Sequence, residues 1–415
     1  WDRNNIYQKV WRGGKKKFYF LDGPPYATGS IHIGTAWNKI LKDFYIRFWR
    51  MQGFDVWDRP GYDTHGLPIE NQVEKEMAIR SKADIERIGI EKFILACKAF
   101  ATRYIDVMSK QFEDLGVWMQ WNNPYLTLTN DYIEGAWHSF KIAYKKGLLY
   151  HGLYPVHVCP RCETAVAYNE IEYAEQEDVS VFVKFPLKNK KSTLLIIWTT
   201  TPWTLPGNTG VMVHPDFVYQ EIELKNGERL IMAKELVPKI MSMLELGYIV
   251  TTEYKGKEME GWKYENPLAK NLKLNLKSSY RIVLSGRYVN LEEGTGLVHT
   301  APGHGKEDYE VGKETGLDIV SPVSTNGLLT EEAGKYAGKK ARVVDDEIIK
   351  DLEKDGYLVY KMKYKHDYPL CWRCKTPLLM IAQPQWFLKI SEIHKKLLEN
   401  NEKVNWIPSW MKLRM

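Results

Sequence analysis

Apolar residues follow one rhythm up to about residue 150 and another beyond it. Phe18 to Leu21 is a short apolar run that reads as a strand, and a turn rich in Gly and Pro follows it. Ile33, Ala36, Trp37, Ile40, Leu41, Phe44, Tyr45, Phe48 and Trp49 then recur at helical spacing, with Gly53 placed as a C-terminal cap. Asp55 to Asp58 reads as the next strand and Arg59 to Pro68 as a loop. Phe93, Cys97, Phe100, Tyr104, Met108 and Phe112 predict a second helix with Cys97 on its apolar face. Ile133, Ala136, Trp137, Phe140 and Tyr144 predict a third, closed by Gly147. Strand and helix signals in alternation predict an α/β layout over this region.

After residue 150 the signals become β-rich: Val179 to Phe185, Leu194 to Trp198, Val211 to Val213, Val289 to His299 and Ala341 to Val344. Helical spacing resumes at Ile390 to Leu398. The pattern predicts an α/β domain interrupted by a large β-rich insertion, with no internal repeat and no low-complexity segment. Both ends fall in mid-pattern, at Trp1 and Met415, which predicts a piece of a longer protein.

Composition narrows this only a little. The 415 residues suffice for two or three domains, and 44% hydrophobic with 27% charged is ordinary for a globular chain. A net charge of +6 permits a polyanionic partner without requiring one. No apolar run reaches the length of a membrane span and no signal peptide is visible, so no membrane partner is expected.

The chemistry is concentrated in a few stretches. Residues 22–35 read Asp-Gly-Pro-Pro-Tyr-Ala-Thr-Gly-Ser-Ile-His-Ile-Gly-Thr. Strand, glycine turn and helix is the order that brings a nucleotide phosphate to a helix N-terminus. Small residues at Gly23, Ala27, Gly29 and Gly34 allow close backbone approach, and His32 can donate to a phosphate as charge develops on it. Gly and Pro alone would suit an ordinary turn; His-x-Gly at the helix start sets this one apart. Farther on stand Trp198 to Asn208, with three consecutive Thr, and residues 294–309, where glycines surround two His and an acidic pair. Four of the five Cys form two clips, Cys159-Pro-Arg-Cys162 and Cys371-Trp-Arg-Cys374. Two such clips satisfy one tetrahedral Zn²⁺ if the fold joins the ends of the insertion. Two redox dithiols or four buried thiols are the alternatives. His157 reads as a polar surface residue rather than a ligand.

Residues 22–35 resemble the first signature of the class I aminoacyl-tRNA synthetases, usually written His-x-Gly-His. Residues 60–70, Pro-Gly-Tyr-Asp-Thr-His-Gly-Leu-Pro-Ile-Glu, resemble the isoleucyl form of the following loop, where the valyl and leucyl enzymes differ. The two stretches in the insertion together resemble the editing domain of those three enzymes. The chain departs from the signature at Thr35, whose hydroxyl can donate to a phosphate but carries no proton that ionises near neutrality.

The resemblance covers nearly the whole chain and implies an α/β class I synthetase fold. Its Rossmann-like catalytic domain begins at 1–150 and resumes at 386–415. A zinc-ribbon-like neck spans 151–178 and 363–385, and a β-rich editing domain spans 179–362. It implies ATP with Mg²⁺, L-isoleucine and tRNA(Ile) as substrates and partners, a structural Zn²⁺ on Cys159, Cys162, Cys371 and Cys374, and a cytoplasmic monomer. His32, Gly34 and Thr35 would work at the ATP phosphates. Gly23, Pro24, Tyr26, Gly29, Asp63 and His65 would border the amino acid and adenosine, with Asp63 holding the substrate ammonium. Asp308 would bind the ammonium of misattached valine. Thr199, Thr200 and Thr201 would surround its ribose and carbonyl, and Trp203, Asn208 and His299 would shape the pocket, His299 against larger side chains. Editing meets a physical limit: one methylene discriminates by only ~1–3 kcal/mol, the known example being isoleucine against valine on this very type of enzyme. The second class signature, Lys-Met-Ser-Lys-Ser, has only a superficial echo at Lys188 to Ser192, which reads as a hairpin turn. The catalytic domain therefore reads as incomplete, without its anticodon-binding part. A valyl or leucyl relative, or a non-catalytic zinc-containing tRNA-binding module, are the competing readings.

Overall fold

The computed structural model describes residues 2–10, 16–188 and 190–415. The chain forms two units, Trp1–Tyr150 with Phe387–Met415, and His151–Trp386. Among the described residues no helix is long and apolar enough to cross a membrane.

In the first unit, strand Lys16–Tyr19 pairs in parallel with Phe54–Trp57, Lys16 opposite Phe54 and Tyr19 opposite Trp57. Parallel neighbours need a crossover, and the helix Ile33–Met51 supplies it. Ala27, Ile46, Val56, Tyr62, Ile105, Met108 and Phe112 form the core beside this layer. The long helix Ile90–Asp114 gives Phe93 and Phe100 to a second cluster, on which Cys97 is partly buried.

The Ile33–Met51 helix differs from its apolar pattern in the side it buries. Ile33, Trp37 and Phe44 are exposed, whereas Lys39 and Ile46 are buried. Two strands form too narrow a layer to cover so wide an apolar stripe. Lys39 is drawn inward by Asp22, a fully buried carboxylate that receives Lys39 Nζ, Lys42 Nζ at 2.7 Å and the Gly61 amide at 2.9 Å. The Tyr125 hydroxyl donates to the Asp22 carbonyl. One aspartate thus ties the exit of the first strand to the helix and to Gly61, which opens the short strand Gly61–Tyr62 inside the stretch 59–68 that reads as a loop; the helix Leu67–Glu76 begins at its end. The helix Asn130–Lys145 likewise buries none of its residues.

The second unit is built on a nine-stranded sheet. Its main path runs Tyr248–Lys255, Val218–Leu224, Arg229–Ala233, Thr193–Thr199, Leu297–Thr300, Gly210–Val213, Arg281–Leu284. Ile171–Pro186 pairs with Thr193–Thr199 and with Leu358–Cys371. Val181, Val183, Leu195, Ile197, Ile231 and Ile282 belong to its core. On one side Thr193–Thr199 has Arg229–Ala233 beside its first residues and Leu297–Thr300 beside its last.

Several elements depart from the apolar pattern. The strand Ile171–Pro186 runs straight through 178/179, and Leu358–Cys371 through 362/363, so no break in structure marks those divisions. Where the apolar pattern fades, cross-strand charges continue the ladder: Lys363 meets Glu177 at 2.6 Å and Lys365 meets Glu175 at 3.3 Å. Of Val289 to His299, only Leu297–Thr300 is a strand, because Gly294 and Gly296 take positive φ just before it. Ala341 to Val344 is a turn, not a strand. Arg342 sits at φ 66°, and the acidic run Asp345, Asp346, Glu347 then opens the helix Asp345–Lys354 at its electropositive end. The segment Lys188 to Ser192 joins two antiparallel strands as a turn would, with Asn189 outside the described residues.

Replacing Asp22 by Ala strands the buried Lys39 ammonium, a change expected to cost about 3–5 kcal/mol. Amide exchange should accelerate over 16–62 and stay unchanged over 193–233; equal protection of both segments in variant and parent would contradict the role given to Asp22.

Candidate functional sites

The glycine turn of the first unit is closed by its own helix cap. His32 has extended backbone at φ −112°, and its Nδ1 accepts from the amides of Gly34 (3.1 Å) and Thr35 (3.4 Å). The Thr35 hydroxyl accepts from the His32 amide and donates to the His32 carbonyl, both at 2.8 Å. This is a capping box in which imidazole takes the usual place of Ser or Thr. With Nδ1 accepting, the neutral ring carries its proton on Nε2. A Cβ at Gly34 would stand 2.9 Å from His32 Cε1, so only glycine lets the ring lie over the helix start. Gly23, Pro24, His32, Gly34, Thr35 and Lys39 are among the residues lining a cavity of about 280 Å³.

The turn is joined to the following loop. Tyr26 and Asp63 form a parallel bridge, with the Ala27 amide on the Asp63 carbonyl (3.0 Å) and the Asp63 amide on the Pro25 carbonyl (2.8 Å). Asp63 Oδ1 accepts from the Thr127 hydroxyl at 3.1 Å. That hydroxyl has one proton, so His65 Nδ1, 2.7 Å away, donates to it. Thr127 therefore holds both candidate side chains, and no motif marked it. Tyr26, Gly29, Asp63 and His65 lie outside the cavity wall.

In the second unit a cavity of about 350 Å³ opens where Thr193–Thr199 ends. Thr199, Thr200, Thr201, Thr204, His299, His304 and Asp308 are among the side chains that line it. The Thr201 amide donates to Thr199 Oγ1 at 3.1 Å, turning the chain into the short 3-10 helix Pro202–Gly207. Asp308 stands in the first turn of the helix Lys306–Thr315, and its Oδ2 accepts from the Ala301 amide at 3.0 Å. Burial pushes this carboxyl up to about 7, against the opposing pull of the Ala301 amide. Among the described residues no ion pair involves Asp308. A Cβ at Gly305 would come within 2.7 Å of Asp308 Oδ2, so glycine there makes room for the carboxylate.

His299 is buried, with Nδ1 2.9 Å from Asn208 Nδ2 and Nε2 3.0 Å from Thr204 Oγ1. Burial lowers its pKa to about 3, so the ring is neutral. Trp203 and Asn208 are buried one layer behind the wall, Trp203 edge-on to His304 at 5.1 Å between centroids. Thr204 and His304 are wall residues that the sequence reading did not single out, although both lie inside the stretches quoted for the resemblance. An acid without a basic partner, beside hydroxyls at a strand end, can receive an ammonium group with polar atoms next to it.

The four paired cysteines meet. Their sulfurs all lie within 4.8 Å of one another, with Cys374 Sγ 3.4 Å from Cys159 Sγ and 3.7 Å from Cys162 Sγ. A disulfide needs ~2.05 Å, whereas thiolates at ~2.3 Å around one tetrahedral ion stand about 3.8 Å apart. The cluster thus fits a metal ion. His157 is half-buried and outside the cluster.

The family model for class I tRNA synthetases (I, L, M and V) matches residues 1–415. The isoleucine–tRNA ligase of Pyrococcus furiosus is 50% identical over 429 residues, covering 100% of this chain and 40% of the relative. That of Methanocaldococcus jannaschii is 48% identical, covering 100% and 41%, and that of Archaeoglobus fulgidus 48% identical, covering 99% and 40%. The chain therefore spans about 40% of the length of these curated relatives. On the strength of the whole-length match and of the capped His-x-Gly turn, the chain belongs to the class I tRNA synthetases of the I, L, M and V group.

Proposed function

We propose that this chain is the N-terminal part of a cytoplasmic isoleucine–tRNA ligase with hydrolytic editing of valyl-tRNA(Ile). The observation that carries the reading is the identity of 48–50% kept over the full chain to isoleucine–tRNA ligases. Residues 1–150 and 386–415 belong to the catalytic domain, 179–362 to the editing domain, and 151–178 with 363–385 to a zinc-ribbon-like neck. The protein acts as a monomer on ATP, L-isoleucine and tRNA(Ile).

In activation, a carboxylate oxygen of isoleucine attacks the α-phosphorus of ATP and pyrophosphate leaves; Mg²⁺ would supply charge neutralisation on the phosphates. His32 holds its Nε2–H free of the cap bonds and can donate to a phosphate oxygen, while Gly34 and Thr35 shape the helix start below it. The Thr35 hydroxyl is occupied in the cap, so Thr35 acts mainly by holding His32 in place. Gly23, Pro24, Tyr26 and Gly29 border the amino acid and adenosine. Asp63, oriented by Thr127 alongside His65, holds the ammonium group.

In editing, water adds to the ester carbonyl of valyl-tRNA and the terminal ribose oxygen leaves with a proton. Asp308 anchors the valine ammonium, and Thr199, Thr200 and Thr201 meet the ribose and the carbonyl. His299 has both nitrogens engaged, so it excludes bulkier side chains rather than accepting a proton; Asn208 braces it from behind, and Trp203 packs edge-on against the neighbouring His304. Zn²⁺ on Cys159, Cys162, Cys371 and Cys374 would have no open position and would pin the two ends of the insertion.

The test is deacylation of valyl-tRNA(Ile) at matched tRNA concentration. Asp308→Ala should lose ~10–100-fold in kcat/KM, the worth of one hydrogen bond to a charged group; undiminished hydrolysis would overturn the reading. The pH dependence has a definite sign. The Asp308 carboxyl is neutral below about 7 and ionised above it, and only the ionised form pairs with ammonium. After subtraction of spontaneous hydrolysis, kcat/KM should climb as pH rises through about 7 in the parent and lose that step in Asp308→Asn.

Freshly purified protein should hold stoichiometric zinc by elemental analysis, and Cys371→Ser should lower both the zinc content and the thermal midpoint of the second unit. Protein free of zinc with an unchanged midpoint would remove the metal from the neck.

A further inference from the structure

A chain of hydrogen bonds runs from the core of the second unit to the wall of the Asp308 cavity, and every member has its donor direction set. Tyr264 is fully buried, and its hydroxyl donates to Asn208 Oδ1 at 2.6 Å. The Asn208 amide nitrogen lies 2.8 Å from the Gly210 carbonyl and 2.9 Å from His299 Nδ1. A carbonyl can only accept, so nitrogen must face Gly210, and the other amide hydrogen points at His299 Nδ1. His299 therefore carries its proton on Nε2 and donates to Thr204 Oγ1 at 3.0 Å. Thr204 in turn donates to the Thr201 carbonyl at 2.8 Å, beside its own amide on the same oxygen at 3.0 Å.

We propose that Tyr264 is a positioning residue for the editing cavity: through Asn208 it locks His299 in the Nε2–H tautomer and so holds Thr204 against Thr201. The bond order matters because the reverse tautomer would make Nε2 an acceptor. Thr204 would then donate to His299 and leave the Thr201 carbonyl with the Thr204 amide alone, weakening the turn that sets Thr199, Thr200 and Thr201 at the cavity wall. Tyr264 is well placed for the task. Its amide is bonded to the Tyr280 carbonyl at 3.0 Å, its ring packs on Phe185 at 5.3 Å, and burial keeps its phenol protonated. Two residues on, Asn266 Nδ2 donates to the Leu205 carbonyl at 3.2 Å, bracing the same 3-10 segment. Without the phenolic proton, Asn208 Oδ1 would be left buried and unpaired, and the amide would be oriented only from its nitrogen side, by the Gly210 carbonyl at 2.8 Å and the Thr300 carbonyl at 3.4 Å. Nothing in the pattern of the sequence singled out Tyr264.

The role in editing rests on the function proposed above; the tautomer does not, and the experiment separates the two. Protein labelled with ¹⁵N-histidine is examined by long-range ¹H–¹⁵N NMR, the His299 signals being identified by their loss in His299→Gln. The parent should show a bare Nδ1 and a protonated Nε2. Tyr264→Phe should show a mixture of tautomers, and Asn208→Asp, whose carboxylate can only accept, should show a protonated Nδ1. In deacylation of valyl-tRNA(Ile), Tyr264→Phe should lower kcat about tenfold with KM within about twofold, the scale of one buried hydrogen bond. A protonated Nδ1 in the parent, or an unchanged His299 spectrum in Tyr264→Phe, would overturn the lock. A shifted spectrum with undiminished kcat would overturn the positioning role. A parent that shows the expected tautomer but hydrolyses no valyl-tRNA would overturn the editing reading and leave the lock standing.

Discussion

The pairing of Ile171–Pro186 with Leu358–Cys371 is the constraint on which the second unit depends. It brings together two segments separated by most of the insertion, with Cys371 opposite Ile171 at one end and Leu358 opposite Val183 at the other. Closing so long a loop carries an entropic cost that grows only slowly with length, and a long antiparallel ladder with cross-strand charge pairs can offset it. One consequence follows from that closure: the cysteine clips, far apart in sequence, come within thiolate-cluster distance. The strand Thr193–Thr199 has Ile171–Pro186 as its antiparallel hairpin neighbour along one edge. Its other edge can then be divided between two partners, and the cavity opens where the second of these pairs with its end.

Each unit sets an aspartate inward, Asp22 fully buried and Asp308 half-buried, and the two have opposite surroundings. Asp22 is met by two lysines and a backbone amide, so its charge is compensated within the fold and its work is structural. Asp308 has one backbone amide and no basic partner among the described residues, and burial raises its pKa toward neutrality. A carboxylate left in that state gains most from a cation arriving with a ligand. The contrast distinguishes an acid whose charge is met inside the fold from one left open to a cation from outside.

The cavity wall is set by what stands behind it. His299 contacts the cavity, yet its protonation state is decided by Asn208 and Tyr264, which do not line it. Likewise Asp63 owes its orientation to Thr127 and His32 owes its own to the amides that it caps. Side chains one layer out carry no signature because their job is met by geometry rather than by chemical type.

The sequence by itself determined the main strand–helix–strand order of the first unit, the switch to β structure after residue 150 and the candidate site residues, while the short strands Gly61–Tyr62 and Tyr125–Leu126 and the helices Leu67–Glu76 and Lys82–Ile88 fall where it read a loop or no element. Local spacing encodes helices such as Ile90–Asp114, and the motifs encode His32, Asp63, Thr199 to Thr201, Asp308 and the paired cysteines. Tertiary structure alone decided which face a helix buries, as Lys39 shows. It decided that charged residues before Val179 continue a strand, that Ala341 to Val344 turns rather than extends, and that Tyr264 and Thr127 orient the candidate sites. The physical reason is range. Period and motif report each residue's neighbours along the chain, whereas burial, register and hydrogen-bond direction depend on partners dozens to hundreds of residues away, which only the folded chain brings together.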